Sequence, residues 1–288
     1  MDDAGTADGP LDVRILGPLE VRRDGHLLPL GGRRQQAVLA CLLVSRTAAV
    51  STERLADAIW GEAPPAAYLP TLQTYIYHLR ETLEPSRVKG APARVLATAT
   101  GGYRLLVPDE DVDACRFERL VAEGRNLVGT DPARAAELLG RALGLWRDDV
   151  LSGFGDLEPV SREAARLGEV RQAAFEGWVA AELALGHHSA LIPELGRLVS
   201  CHPLREGLHG QRILALYRDG RQAEALAAYR QLRATLDDEL GVEPSPAIRQ
   251  LHERILRHDP SLLVASPPEA APETEQRATG SAAVVAAA

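Results

Sequence analysis

Between Thr71 and Pro85 the chain reads TLQTYIYHLRETLEP, and its polar side chains are of the kinds that can read base-pair edges. Glutamine can bridge the donor and acceptor of adenine, a threonine methyl can meet that of thymine, and tyrosine or histidine can donate or accept. Gln73, Thr74, Tyr77, His78 and Glu81 share one helical face, and Arg80 on its shoulder is expected to hold a phosphate. Opposite them Leu72, Ile76, Leu79 and Leu83 form one apolar stripe that must pack inward, flanked by Tyr75. Taken alone, the polar face is more simply a solvated one; the neighbouring elements change that reading.

Residues 12 to 30, DVRILGPLEVRRDGHLLPL, alternate short apolar segments with turns at Gly17-Pro18 and Asp24-Gly25, which predicts a small antiparallel sheet. From Arg33 the period becomes helical through Ala37, Val38, Cys41, Leu42 and Val44. A second helix, TERLADAIW, follows Ser51, whose hydroxyl can cap its free amides, and ends at Gly61. Pro64, Pro65 and Pro70 make GEAPPAAYLP a loop, so the next helix is expected from Thr71 to Leu83. RVLATATGGYRLLV, from Arg94 to Val107, predicts two strands around a turn in which Gly101 and Gly102 allow positive φ. Strands, three helices and a hairpin are the order of a winged helix-turn-helix with an added N-terminal sheet. The third helix stands in the recognition position, which favours base reading for its polar face.

Beyond Pro108 the pattern is helical, over about 113–128, 131–146, 159–185, 188–200, 204–219, 221–239 and 245–257. A 34-residue echo sets Gly186 against Gly220, Leu195 against Tyr229 and Leu198 against Leu232, the period of tetratricopeptide-like helix pairs. The expected fold is therefore mainly α: a winged helix over 11–108 followed by an all-α tetratricopeptide-like domain over 109–260. Residues 1–10 and the Ala-, Pro- and Glu-rich residues 261–288 are expected to be disordered.

The net charge of -8 divides unevenly. Residues 1–108 hold 12 basic and 11 acidic groups, against 20 and 29 in residues 109–288. Between 66 and 104 five basic residues face only Glu81 and Glu84, a local basic surface on an acidic chain. No apolar run approaches the roughly 18–20 residues of a membrane span, and the acidic start MDDAGTADGP is not a signal peptide, so the expectation is cytoplasmic and nucleoid-associated. Cys41, Cys115 and Cys201 stand far apart and read as core residues, with no disulfide or metal site. An enzyme is not expected, nor a cofactor: no P-loop, GxSxG, HExxH or CxxC occurs, and Gly153-Phe-Gly155 lacks the third glycine of a dinucleotide loop. His187-His188 and His202 read as surface or capping groups, and Asp148-Asp149 and Asp237-Asp238 as solvated charge.

RRQQAVLACLL, STERLADAIWGEAPP, LQTYIYHLRETLEP, TGGYRLLV with VDACRF, and AEALAAYRQLRATLDDELGVEPS stand in an order that resembles one family. The first hundred residues are similar to an OmpR/PhoB-type winged helix. With the helical half, which resembles the bacterial transcriptional activator domain, they resemble the Streptomyces antibiotic regulatory protein (SARP) family over about 11–258. That resemblance implies an activator of a secondary-metabolite gene cluster that binds direct repeats near the promoter -35 region as a head-to-tail homodimer and recruits RNA polymerase through its sigma factor. It makes 71–83 the recognition helix and 94–107 the wing. The DNA-contact set is then Gln73, Thr74, Tyr77, His78, Arg80, Arg94, Thr100 and Arg104, and Gly61, Glu62, Ala63, Pro64 and Pro65 form the polymerase-contact loop. His78 and Glu81 stand where OmpR-type helices often carry arginines, so base preference does not carry over. The alternative is a ligand- or peptide-responsive helical-repeat sensor that controls the head.

Overall fold

The computed structural model describes residues 9–61, 63–88 and 90–263. Strands β1 (Leu11–Arg14), β2 (Glu20–Arg23) and β3 (His26–Leu27) form an antiparallel sheet in that order. Asp24 and Gly25 carry φ of 50° and 79°, as a two-residue hairpin turn demands. Helix α1 (Arg33–Val44) is buried without a break from Ala37 to Leu43 and forms the centre of the head.

Strand β4 (Val50–Ser51) leads into α2 (Thr52–Trp60), where the Ser51 hydroxyl accepts the amide of Arg54 at 3.2 Å. Helix α3 (Tyr68–Leu83) begins three residues before the expected start at Thr71. Pro70 does not prevent this, because it lies in the first turn, where backbone amides have no intrahelical acceptor to lose. The stripe is as expected: Leu72, Ile76, Leu79 and Leu83 are all buried, each contributing about 1.5–3 kcal/mol.

Strands β5 (Leu96–Ala99) and β6 (Gly102–Leu105) form the wing hairpin, with β4 added on the other side of β6. The sequence expectation needs correcting at its turn. Gly101 has φ of 75°, but Gly102 does not lie in the positive region. Glycine is required at 102 for a different reason: a Cβ there would stand 2.0 Å from the Val50 carbonyl oxygen across the β4–β6 pair.

The helical half comprises α4 (Asp113–Leu127), α5 (Pro132–Leu143), α6 (Glu158–Ala184), α7 (His188–Cys201), α8 (Glu206–Arg218), α9 (Gln222–Leu240) and α10 (Pro246–Leu256), each close to its expected span. Gly186 and Gly220, at φ 85° and 76°, turn the chain between successive packed helices, which is the physical content of the 34-residue echo. Order continues past 260, since Leu262 is buried with Ile213, Leu232 and Ile255. The remaining expected tail, from 264, and residues 1–8 lie outside the described residues.

The head and helices α4–α6 share one apolar core, from Leu11 and Val13 through Leu39 and Leu79 to Phe117 and Leu167. The buried Asp113 carboxylate accepts the amides of Ile15 and Leu16 at 2.8 and 3.0 Å, and the Ile15 and Leu16 carbonyls accept from Leu151 and Arg147. Around this seam Glu118 pairs with both Arg46 and Arg166, Arg116 with Asp12, and Arg147 with Glu20. Of the cysteines, Cys41 is buried as expected, but Cys115 is half-buried and Cys201 exposed, so the core reading fails for Cys201. Cys201 is the last residue of α7, at the rim of a groove that Leu198 also lines.

Candidate nucleic-acid interface

With its stripe anchored, α3 turns Gln73, Thr74, Tyr77 and His78 outward, all exposed. The Thr74 hydroxyl donates to the Pro70 carbonyl at 2.9 Å, which fixes its rotamer. Tyr77, 54% exposed, meets His78 edge to face at 5.5 Å between ring centroids. These side chains therefore form one polar and aromatic surface along the helix.

Arg80 is placed differently from the outward phosphate ligand expected of it. Its Nε donates to the Leu96 carbonyl and an Nη to the Thr98 hydroxyl, both at 2.9 Å, and the guanidinium lies 5.8 Å from the Tyr103 ring centroid. Burial pushes its pKa below the usual arginine value, the sign expected of a cation withdrawn from water. One turn further, the buried Glu84 carboxylate accepts the backbone amides of Arg94 (3.0 Å), Val95 and Leu96 (3.1 Å). Glu81, the acidic residue on the outward face, pairs with Arg87 at 3.6 Å.

Of the wing's cations, Arg104 alternates with Tyr103 and so lies on the hairpin face away from Arg80. Arg104 stands across from Ala97 in register and is exposed, Thr100 is exposed beside the turn at Gly101, and Arg94 is exposed where the wing begins. Among the described residues the Arg94 and Arg104 side chains make no hydrogen bond or ion pair within the chain. The sequence reading missed Arg54: it is exposed in the first turn of α2, and Thr52 beside it donates its amide to the Gly101 carbonyl at 3.1 Å. Its proximity to the wing turn follows from the β4–β6 register, for which a two-residue strand leaves no sequence pattern.

The α2–α3 loop projects from the same head. Ala63, Pro64 and Pro65 are exposed, Gly61 takes φ of 61°, and Glu62 lies outside the described residues. Trp60 anchors the loop, stacked on Tyr75 and edge-on to Tyr68, each at 6.4 Å. Among the described residues no group of three or more His, Cys, Asp or Glu is arranged to hold a metal ion, and no helix is long and apolar enough to cross a membrane.

A winged helix whose third helix turns a polar face outward, fused to tandem helical hairpins, defines a class of transcriptional regulator. Residues 30–105 match the family described as Transcriptional regulatory protein, C terminal, and residues 112–256 match the Bacterial transcriptional activator domain. The chain belongs to the SARP family of transcriptional regulators. It is 38% identical to the regulatory protein DnrI of Streptomyces peucetius over 256 residues, covering 88% of this chain and 94% of DnrI. It is 39% identical to the transcriptional regulatory protein EmbR of Mycobacterium tuberculosis over 264 residues, 90% of this chain and 67% of EmbR. With the regulatory protein AfsR of Streptomyces coelicolor the identity is 40% over 258 residues, 88% of this chain but 25% of AfsR. A solved structure of M. tuberculosis EmbR in complex with a low affinity phosphopeptide superposes with a TM-score of 0.80 at 38% identity, over 90% of this chain and 66% of that one. The chain thus spans about two thirds of EmbR and a quarter of AfsR.

Proposed function

We propose that the protein is a transcriptional activator that reads promoter DNA with α3 in the major groove and the wing against the adjacent minor groove. The observation that carries this reading is the outward set Gln73, Thr74, Tyr77 and His78 on a helix whose other face is locked into the core. Arg94, Thr100 and Arg104 supply the wing contacts, and Arg54 a phosphate contact near the wing turn. Direct repeats near the -35 region would place two protomers head to tail on one DNA face, at a spacing near one helical turn or a multiple. The loop from Gly61 to Pro65, whose Ala63, Pro64 and Pro65 are exposed and which includes Glu62 in sequence, then faces RNA polymerase and its sigma factor, and the target is a secondary-metabolite gene cluster. Such work is cytoplasmic, on the nucleoid, and needs no catalysis. Transcription in vitro from a promoter that the protein binds tests the activator reading. Stimulation lost on Pro64→Ala with Pro65→Ala, while DNA binding stays intact, supports it; no stimulation by the parent protein sinks it.

A second reading rests on one observation in the helical half. A groove of about 840 Å³ opens between α5, α6 and α7, lined by Phe175, Trp178, Arg171, Arg197 and Arg205 among others. Its size and mixed aromatic and charged lining, in which Arg197 pairs with Glu194 at 2.6 Å and Arg205 with Glu169 at 2.7 Å, suit a small polar ligand that tunes the head. A ligand-induced change in DNA affinity supports this sensor reading; unchanged affinity across cell metabolites and peptides counts against it.

A further inference from the structure

Arg80 in the last turn of α3 and Glu84, the residue that caps its C-terminus, hold the first wing strand through complementary sets of acceptors and donors. Arg80 offers donors to the Leu96 carbonyl and Thr98 hydroxyl, and Glu84 offers acceptors to the amides of Arg94, Val95 and Leu96. Leu96 is thus gripped at both ends of its residue, its N–H by Glu84 and its carbonyl by Arg80. The guanidinium also lies over Tyr103, which faces Thr98 across the hairpin, so both wing strands are included. Glu84 is 6% exposed, and a carboxylate so buried with three amide donors has a fixed direction.

We infer that Arg80 and Glu84 are positioning residues that set the wing's angle to the recognition helix, and so the offset at which the protein reads the major groove and the neighbouring minor groove together. This rests on the DNA-reading proposal above. The arrangement differs in consequence from a phosphate contact. A phosphate ligand at 80 acts on DNA directly, and any cation there retains part of its effect. A brace acts only through what the wing touches, and needs the planar fork of arginine to reach a carbonyl and a hydroxyl at once.

A double-mutant cycle separates these. The probe is the duplex that the parent protein enriches from a random pool, and thermal unfolding checks that each variant is folded. Arg80→Met is expected to weaken binding roughly fivefold or more, and Arg80→Lys, which keeps the charge, to do the same. In a background of Arg94→Ala with Thr100→Ala and Arg104→Ala, where the wing contacts are already gone, Arg80→Met is expected to change affinity by less than about twofold. In a His78→Ala background the two losses are expected to multiply. Multiplying losses in that wing-contact background, or rescue by Arg80→Lys, would overturn the brace while leaving DNA reading in place. A parent protein that enriches no sequence would overturn the DNA reading itself, and the brace with it.

Discussion

At Gly102 the missing side chain is what lets β6 lie against β4, whereas at Gly101 the requirement is a positive φ with nothing within 4 Å of an added Cβ. The two adjacent glycines therefore differ in what they tolerate. We expect Gly101→Asn to be nearly neutral, within about 0.5 kcal/mol, since asparagine enters the left-handed region readily. Gly102→Ala must part Val50 from the wing and should lose roughly 1–3 kcal/mol. Chemical denaturation of both variants checks the pair, and equal losses would refute the distinction. On the recognition face, replacing Thr74 or His78 should change preference at one base position per repeat by about 1–3 kcal/mol. Of these side chains the sequence shows the face but not the partners. Periodicity turns Gln73, Thr74, Tyr77 and His78 outward, whereas Arg80 meets residues 16 and 18 positions away through strand register, which periodicity does not encode.

Among the elements, the α2–α3 loop is braced by packing at its edges. Trp60 closes α2 and stacks on Tyr75, which flanks the buried stripe of α3. Trp60→Ala should lose stability and loosen the loop. We expect stimulation of transcription to fall further than DNA affinity, compared at a temperature where the variant is folded. An equal fall in both would deny the loop a separate role. The long elements were legible because each repeats its apolar period several times, as in α4 to α10. The small sheet and the wing hairpin were legible from their turns, but two features were not: β4 has two residues, and the start of α3 lies among prolines that read as loop until Pro70 is seen to occupy a first turn.

Across the whole molecule, the head is joined to α4–α6 by a common core and a seam of charged pairs. None of it was legible, since Asp113 and Ile15 are 98 residues apart and Glu118 and Arg46 are 72. Burial raises the pKa of Glu118, but hydrogen bonds from Arg166 and Arg46 outweigh it and hold the carboxyl below its ordinary value. The folded state then binds this proton less readily than the unfolded chain. Its stabilisation is complete above the unfolded carboxylate range near ~4.3 and is lost as pH falls through the lower folded value. Thermal unfolding midpoints should drop in that acid window, less steeply for Glu118→Gln; an unchanged slope would show that the seam does not carry the effect.

The central claim is that the outward face of α3 reads DNA, and selection from a random duplex pool tests it most directly. The parent protein should enrich direct repeats spaced near one helical turn or a multiple, and the His78→Ala variant should alter one base position in each repeat. Identical enriched sites for variant and parent, or no enrichment by the parent at all, would contradict it.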